Sequence, residues 1–223
     1  MDIMIIIASL IITLGAQAYI NSMYKNTKKI EIKKGITGAE AARKILDKNG
    51  LSNVKINESS GVLSDHYDPR NKTVNLSPEV FCKASVAAVS VAAHECGHAI
   101  QHRDKYLFMN VRAALVPFVN ISSYAGYFAI LLGCLFGVIN LIWIGILAEC
   151  VILLFQVITL PVEFNASSRA LIVLEKDNYL TKKELKGGKT VLTAAALTYV
   201  ASVATTLIEV FRLILLYGGR RND

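Results

Sequence analysis

The sequence predicts a mostly α-helical integral membrane protein, with about four transmembrane helices and a small α+β cytoplasmic insert. Of its 223 residues, 53% are hydrophobic and only 18% are charged, whereas soluble domains are about 25% charged. The apolar residues are concentrated in uncharged runs, and a helix needs about 20 such residues to cross a bilayer. These runs cover residues 3–24, 113–148, 150–162 and 191–208. A soluble globule is therefore excluded, and the lipid bilayer is an expected partner.

Basic residues beside the apolar runs set the expected orientation. Lys25, Lys28 and Lys29 closely follow the first run, and five lysines lie between residues 176 and 189. The positive-inside rule places both groups in the cytoplasm and the N-terminus outside. The net charge of +7 is thereby explained without nucleic acid, whose binding favours a clustered basic face. We expect no nucleic-acid partner, and the sequence defines no oligomeric state.

The first run is interpreted as a retained anchor, because it lacks the basic n-region and the small-residue cleavage site of a signal peptide. Pro161 is expected to end or bend the second helix of a central hairpin. With four spans and the N-terminus outside, the C-terminal tail is also expected outside. The arginines near the C-terminus favour the cytoplasmic side and so argue against this topology. We expect five segments: a transmembrane anchor (1–24), a cytoplasmic segment (25–112), a transmembrane hairpin (113–162), a cytoplasmic helix with a basic loop (163–190), and a C-terminal transmembrane helix with its tail (191–223).

Capping residues, a stop signal and strand-like alternation predict the helices and strands of the cytoplasmic segment. Thr37 and Glu40 form a capping box that starts a helix, and Gly50 stops it. Residues 54–56 and 73–76 are strand candidates. Ser77, followed by a proline and an acid, opens a helix that we expect to continue to His102.

The motif His94-Glu95-Cys96-Gly97-His98 lies on this helix. Residues four apart stack on one helix face, so His94 and His98 can both direct a ring nitrogen at one cation. Zinc suits imidazole ligands and tetrahedral geometry. Glu95 is rotated by about 100° from His94, which suits a general base acting on a metal-activated water. The pattern is typical of metal-assisted amide hydrolysis, and Gly97 indicates close approach by another group.

A third protein ligand is needed, and Glu163 is the best candidate. It follows Pro161, where a membrane helix returns to the side that holds the two histidines. Two His and a distant Glu match the thermolysin-type ligand set. His102 lies about 12 Å from His94 along the helix axis. We therefore expect it either to contact a metal ligand without binding the metal itself, or to lie at the surface.

Four blocks of the sequence, at residues 65–70, 76–80, 91–102 and 160–167, resemble the YugP-type membrane zinc metallopeptidases. The resemblance covers nearly the whole chain, and implies a neutral zinc metallopeptidase of the bacterial plasma membrane with a zincin-like insert. The Glu163 block is also similar, more distantly, to HtpX/Ste24-like membrane proteases. In that group an Asp four residues after the glutamate orients a zinc-binding histidine. Ser167 stands there in this chain, and can accept the same hydrogen bond more weakly.

The segment before the motif has two possible roles. Thr73, Val74 and Asn75 either form an edge strand that pairs with an extended substrate, or belong to an ordinary hairpin. His66, with Tyr67, either donates a hydrogen bond to a developing oxyanion or packs in a turn.

Together these patterns favour a membrane-embedded zinc-dependent endopeptidase acting on membrane or membrane-proximal proteins from the cytoplasmic side. The alternative is a non-enzymatic zinc-binding scaffold or sensor. A closed structural site of that kind would recruit a fourth protein ligand such as Cys82 or Cys96, and it would have no use for Glu95.

Overall fold

The computed structural model describes residues 2–220, and this part of the chain forms seven α-helices and a three-stranded sheet. In chain order the elements are α1 (Asp2–Thr27), α2 (Gly38–Lys48), β1 (Lys55–Glu58), β2 (His66–Asp68), β3 (Thr73–Leu76), α3 (Pro78–Cys82), α4 (Val86–Arg103), α5 (Leu107–Phe136), α6 (Ile139–Lys176), α7 (Lys182–Tyr217) and a 3-10 turn (Gly218–Arg220).

Four helices in the described part are long and apolar enough to cross a membrane: α1, α5, α6 and α7. Most of their large hydrophobic side chains are exposed, as expected where lipid rather than protein covers them. These helices, with the small sheet between them in sequence, confirm the predicted mostly α-helical membrane fold.

The expected end of a helix at Pro161 is not observed, because α6 continues from Ile139 to Lys176 with this proline inside it. Packing explains why the helix persists. Val162, Ala166, Ala170 and Leu174 recur every four residues and are buried, so burial of one stripe holds the helix after the proline. The predicted basic loop is likewise shorter than expected, since α7 begins at Lys182.

The chain divides into two compact units. One consists of residues 2–17, 110–161 and 198–220, and the other of residues 18–109 and 162–197. In the first unit, glycine lets α5 and α6 approach closely. A Cβ on Gly126 would lie 2.7 Å from the Ala148 Cβ, and one on Gly145 would lie 2.3 Å from Cγ1 of Ile130. Small residues at membrane helix contacts commonly permit such packing.

The second unit is built around α2, α4 and the sheet. The predicted capping box starts α2, because the Thr37 side chain accepts from the Glu40 backbone and the Glu40 side chain accepts from that of Thr37. Sheet order is β1-β3-β2, with β3 parallel to β1 and antiparallel to β2. Val74 and Leu76 of β3 are fully buried in the same hydrophobic core as the apolar face of α2.

The helix expected from Ser77 to His102 is interrupted. It forms a short α3 and a separate α4, with an extended segment between them. In this segment Ala84 O accepts from the backbone of Ile32, and Val86 N donates to Ile30 O. Ser85 then caps α4 by accepting from Ala88 N. Pairing with a distant part of the chain therefore breaks the helix that local signals favour.

The edge-strand interpretation of Thr73, Val74 and Asn75 is wrong. β3 is the central strand, and residues on both sides of it are already paired: Lys55–Glu58 on one side and His66–Asp68 on the other. No backbone edge of β3 remains for an extended substrate. The sequence interpretation treated β2 as a connector and so left β3 with a free edge.

Candidate metal centre

Three potential metal ligands meet between α4 and α6. His94 and His98 lie one turn apart on α4, and Glu163 lies on α6; their donor atoms all fall within 4.8 Å of one another. The two Nε2 atoms are 3.2 Å apart. Glu163 Oε2 is 3.3 Å from Nε2 of His94 and 3.6 Å from Nε2 of His98.

These spacings fit a tetrahedral zinc ion. Bonds of about 2.0–2.1 Å place tetrahedral donors roughly 3.3–3.4 Å from one another, close to the three separations in the cluster. The donor set is also chemically suitable, since imidazole nitrogen and carboxylate oxygen are both zinc ligands. The residues present therefore fit the metal that the sequence predicts.

Gly97 explains how Glu163 reaches the histidines. A Cβ at this position would lie 2.7 Å from the carbonyl oxygen of Ala166, a separation at which one of the two helices would have to shift. Without a side chain at Gly97, α4 packs directly against the α6 backbone three residues after Glu163. The close approach predicted for Gly97 is thus to backbone.

Gln101 sets the protonated nitrogen of His98. Its side-chain amide nitrogen donates to Val162 O at 2.8 Å and to Asn165 Oδ1 at 3.0 Å, so Oε1 is left facing His98 Nδ1 at 2.9 Å. A carbonyl oxygen only accepts, and Nδ1 of His98 must therefore carry the proton. Nε2 then presents its lone pair to Glu163 and His94, as a metal ligand requires.

Ser167 occupies the corresponding place beside His94. Its hydroxyl oxygen lies 3.1 Å from Nδ1 of His94, while Nε2 of the same ring faces Glu163. Partners of this kind fix the orientation of metal-binding histidines. In this chain a serine and a glutamine serve the two rings, and neither is a carboxylate.

The electrostatic environment favours positive charge. Burial disfavours the charged form of His98, but the hydrogen bond that Glu163 accepts from the charged ring and the nearby charges of Glu95 and Glu163 outweigh this and raise the pKa of His98. With both imidazoles neutral, the carboxylates of Glu95 and Glu163 give the site negative charge. A divalent ion would balance their charge.

Glu95 is buried without a protein partner. Its exposed fraction is 7%, and within residues 2–220 it makes no hydrogen bond and no ion pair. A buried carboxylate without a partner is costly, so its position next to His94 indicates a partner that binds in the site, such as water or substrate.

The two cysteines considered as a fourth ligand lie elsewhere. Cys96 is fully buried, and its thiol approaches Ala42 O of α2 at 3.6 Å. Burial also raises the pKa of this thiol, which disfavours the thiolate that zinc binds. Cys82 is exposed at the end of α3. In the described residues the cluster therefore has three protein ligands.

His102 and His66 do not join the ligand cluster. His102 Nδ1 lies 2.8 Å from the Tyr67 hydroxyl. Gln101, rather than His102, contacts the ring of His98. His66 is exposed, with Nδ1 2.8 Å from Ser64 O and Nε2 3.2 Å from the Asn75 amide nitrogen. Alternation along β2 turns Tyr67, rather than His66, toward α4, which argues against the catalytic role expected for His66.

Sequence reasoning missed Gln101, although one signal was available. Gln101 is the only long uncharged polar side chain on α4, and it lies three residues after His98, within reach on the same face. Arg169, on the same helix as Glu163, donates to Asn165 Oδ1 at 2.8 Å and to Asp104 Oδ2 at 2.6 Å.

Comparison with known proteins identifies the family. The family model described as "Putative neutral zinc metallopeptidase" matches residues 2–218. The chain belongs to this family. Among curated relatives of this metallopeptidase family, "Putative membrane protease YugP" of Bacillus subtilis (strain 168) is 42% identical over 221 residues, covering 99% of this chain and 98% of the relative. No solved structure matches the chain. These findings confirm the resemblance to YugP-type proteins.

Proposed function

We propose that this protein is a zinc-dependent endopeptidase that hydrolyses peptide bonds of membrane or membrane-proximal proteins from the cytoplasmic side of the cell membrane. The observation that carries the proposal is the meeting of His94, His98 and Glu163 beside the buried carboxylate of Glu95. Family membership supports the same chemistry. The cytoplasmic location rests on the lysines that flank the membrane helices.

In this proposal His94, His98 and Glu163 hold the ion. When bound, zinc supplies a Lewis acid that makes water acidic near neutral pH and polarises a carbonyl group. Ser167 and Gln101 accept hydrogen bonds from Nδ1 of His94 and His98, which keeps both Nε2 lone pairs directed at the ion. Three protein ligands leave a fourth coordination position open, which is typical of catalytic rather than structural zinc sites.

Glu95 acts as the general base. Its carboxylate takes a proton from the water that attacks the peptide carbonyl, and it then gives this proton to the departing amine. Because Glu95 has no protein partner in the described residues, no ion pair must break before this transfer. The same feature argues against a purely structural zinc site, in which a carboxylate buried beside the ligands would only cost stability.

The proposal is tested by replacing Glu95 with Gln in the purified full-length protein. We expect Glu95→Gln to retain zinc, measured by metal analysis, because the three ligands are unchanged. Peptide hydrolysis should fall by about 10²–10⁴-fold, the usual contribution of a general base. The substrates are casein and a membrane protein that is reconstituted together with the enzyme in lipid vesicles.

Glu58→Gln is the matched control, because Glu58 is an exposed carboxylate on β1. Its hydrolysis rate should equal that of the wild type. A Glu95→Gln protein that cleaves both substrates at the wild-type rate would show that the proposed mechanism is wrong. Loss of zinc in His94→Ala together with unchanged proteolysis would overturn the role of the metal.

A further inference from the structure

The loop between β1 and β2 projects two adjacent apolar side chains. Val62 is 82% exposed and Leu63 is 49% exposed. Serines close the base of this loop: the Ser59 and Ser64 hydroxyls are 2.7 Å apart, and Ser59 N donates to Leu76 O at 2.8 Å. The two side chains are therefore held outward by a defined loop.

The backbone of the loop tip adopts conformations that aliphatic residues rarely use. Leu63 has φ of +54° and Gly61 has φ of +109°. A non-glycine residue in the left-handed region is uncommon, and a bulky one more so. Such strain concentrates at sites where function requires it, and here it accompanies exposed apolar side chains.

The loop tip lies beside the end of a membrane helix. Gly61, Val62 and Leu63 line a largely apolar depression of about 270 Å³ together with Tyr24 of α1. Tyr24 is three residues before the end of α1 at Thr27, and α1 is one of the candidate spans. Tyrosine is enriched where membrane helices leave the bilayer, so the place of Tyr24 near the end of α1 favours a membrane–water boundary close to this depression.

Unpaired positive charge follows at the same end of α1. Lys28 pairs with Glu79 at 3.1 Å, whereas Lys25 and Lys29, both exposed, make no ion pair or hydrogen bond within residues 2–220. Lysines next to a membrane helix attract anionic lipid headgroups. Lys25 and Lys29 therefore lie at the same end of α1 as Tyr24, which lines the depression.

We propose that residues 61–63 insert into the bilayer beside α1, with lipid chains covering Val62 and Leu63 and anionic headgroups contacting Lys25 and Lys29. Lipid is favoured over a protein partner because the depression is continuous with the surface of a membrane helix. The loop leads directly into β2, so this contact holds that edge of the sheet at the membrane surface.

The test uses fluorescence of the full chain reconstituted in vesicles of phosphatidylcholine and phosphatidylglycerol. The single native tryptophan, Trp143, is first replaced by Phe, and Val62→Trp then provides the reporter. Because Val62 is 82% exposed, tryptophan displaces no packed atoms there. We expect blue-shifted emission and strong quenching by lipids brominated on their acyl chains.

Arg70→Trp is the matched control, since the Arg70 side chain is 88% exposed and lies in the turn at the opposite end of β2. Its emission should stay red-shifted and unquenched. Lys25→Gln with Lys29→Gln should reduce the quenching of the Val62→Trp reporter in vesicles that contain phosphatidylglycerol. Equal quenching of the reporters at positions 62 and 70, or none at 62, would overturn the proposal.

Discussion

At the residue scale, Gln101 links the two halves of the metal centre. Its amide donates to the carbonyl oxygen of Val162, which directly precedes the candidate ligand Glu163, and accepts from the candidate ligand His98. The amide is fully buried, so its orientation is set by protein atoms alone. One side chain thus fixes both the tautomer of a ligand and its distance from the helix that carries the third ligand.

Replacing Gln101 with Leu should weaken zinc binding. The variant removes the acceptor of the His98 Nδ1 proton, and loss of such a partner typically lowers metal affinity by about 10–100-fold. Competition with a chromophoric chelator measures the affinity, and circular dichroism checks that the variant is folded.

Gln101→Glu separates the two functions of the amide. A carboxylate still accepts from His98 but cannot donate to Val162 O. We therefore expect Gln101→Glu to bind zinc more tightly than Gln101→Leu. A folded Gln101→Leu protein with wild-type zinc affinity would mean that Gln101 only fills space.

At the scale of elements, the contact between α4 and α6 determines the site, and Gly97 permits it. In Gly97→Ala two effects have opposite signs. Alanine should stabilise a helix by about 1 kcal/mol relative to glycine, but its Cβ would lie 2.7 Å from Ala166 O. We expect the clash to dominate, with a lower thermal stability and weaker zinc binding as Glu163 moves away.

Gly15→Ala provides the comparison. Gly15 lies within α1, and a Cβ there would meet nothing within 4 Å. Only the helix propensity then changes, so this variant should be neutral or slightly stabilised. If Gly97→Ala were stabilised to the same degree as Gly15→Ala, the close contact would have no energetic consequence.

Elements with local signals were predictable from sequence. The capping box at Thr37 and the uncharged runs marked α2 and the membrane spans, because both depend on residues near in sequence. The break between α3 and α4 was not predictable, since it depends on pairing of residues 84–86 with residues 30–32. Of the two effects expected of Pro161, an end or a bend of the helix, the end does not occur, because buried contacts after the proline hold the helix.

The site residues also divide into those indicated by local sequence and those that depend on contacts between distant parts of the chain. Spacing on one helix face indicated His94 and His98, and Glu163 was inferred from its place after a membrane run. The orienting role of Gln101 was missed because it requires Val162 O to lie opposite the amide. The place of His66 outside the cluster was not predictable for a related reason: without β2, the sequence does not define the side of the strand on which each residue of this segment lies.

At the scale of the whole molecule, the lysines between the membrane helices predict which side holds the metal centre. Cys82 reports this orientation, because it is exposed in the polar insert. A membrane-impermeant maleimide should label Cys82 in inside-out vesicles and leave it unlabelled in intact cells.

Cys82→Ser is the control and should abolish labelling. Cys96 is buried, and Cys134 lies on the membrane helix α5, where lipid shields it from an aqueous reagent. Labelling of Cys82 in intact cells would place the insert outside and reverse the orientation inferred from charge.

The uninterrupted course of α6 through Pro161 imposes a constraint on length. Its residues before the proline belong to a candidate membrane span, and Glu163 follows two positions after the proline. Inserting or deleting a single residue between Glu163 and Ala166 turns Glu163 by about 100° relative to the buried stripe at Ala166, Ala170 and Leu174, and displaces it by about 1.5 Å. A flexible linker would absorb such a change, but here it would swing the carboxylate away from the imidazoles, so the residue count of this stretch is as restricted as the identity of the ligand.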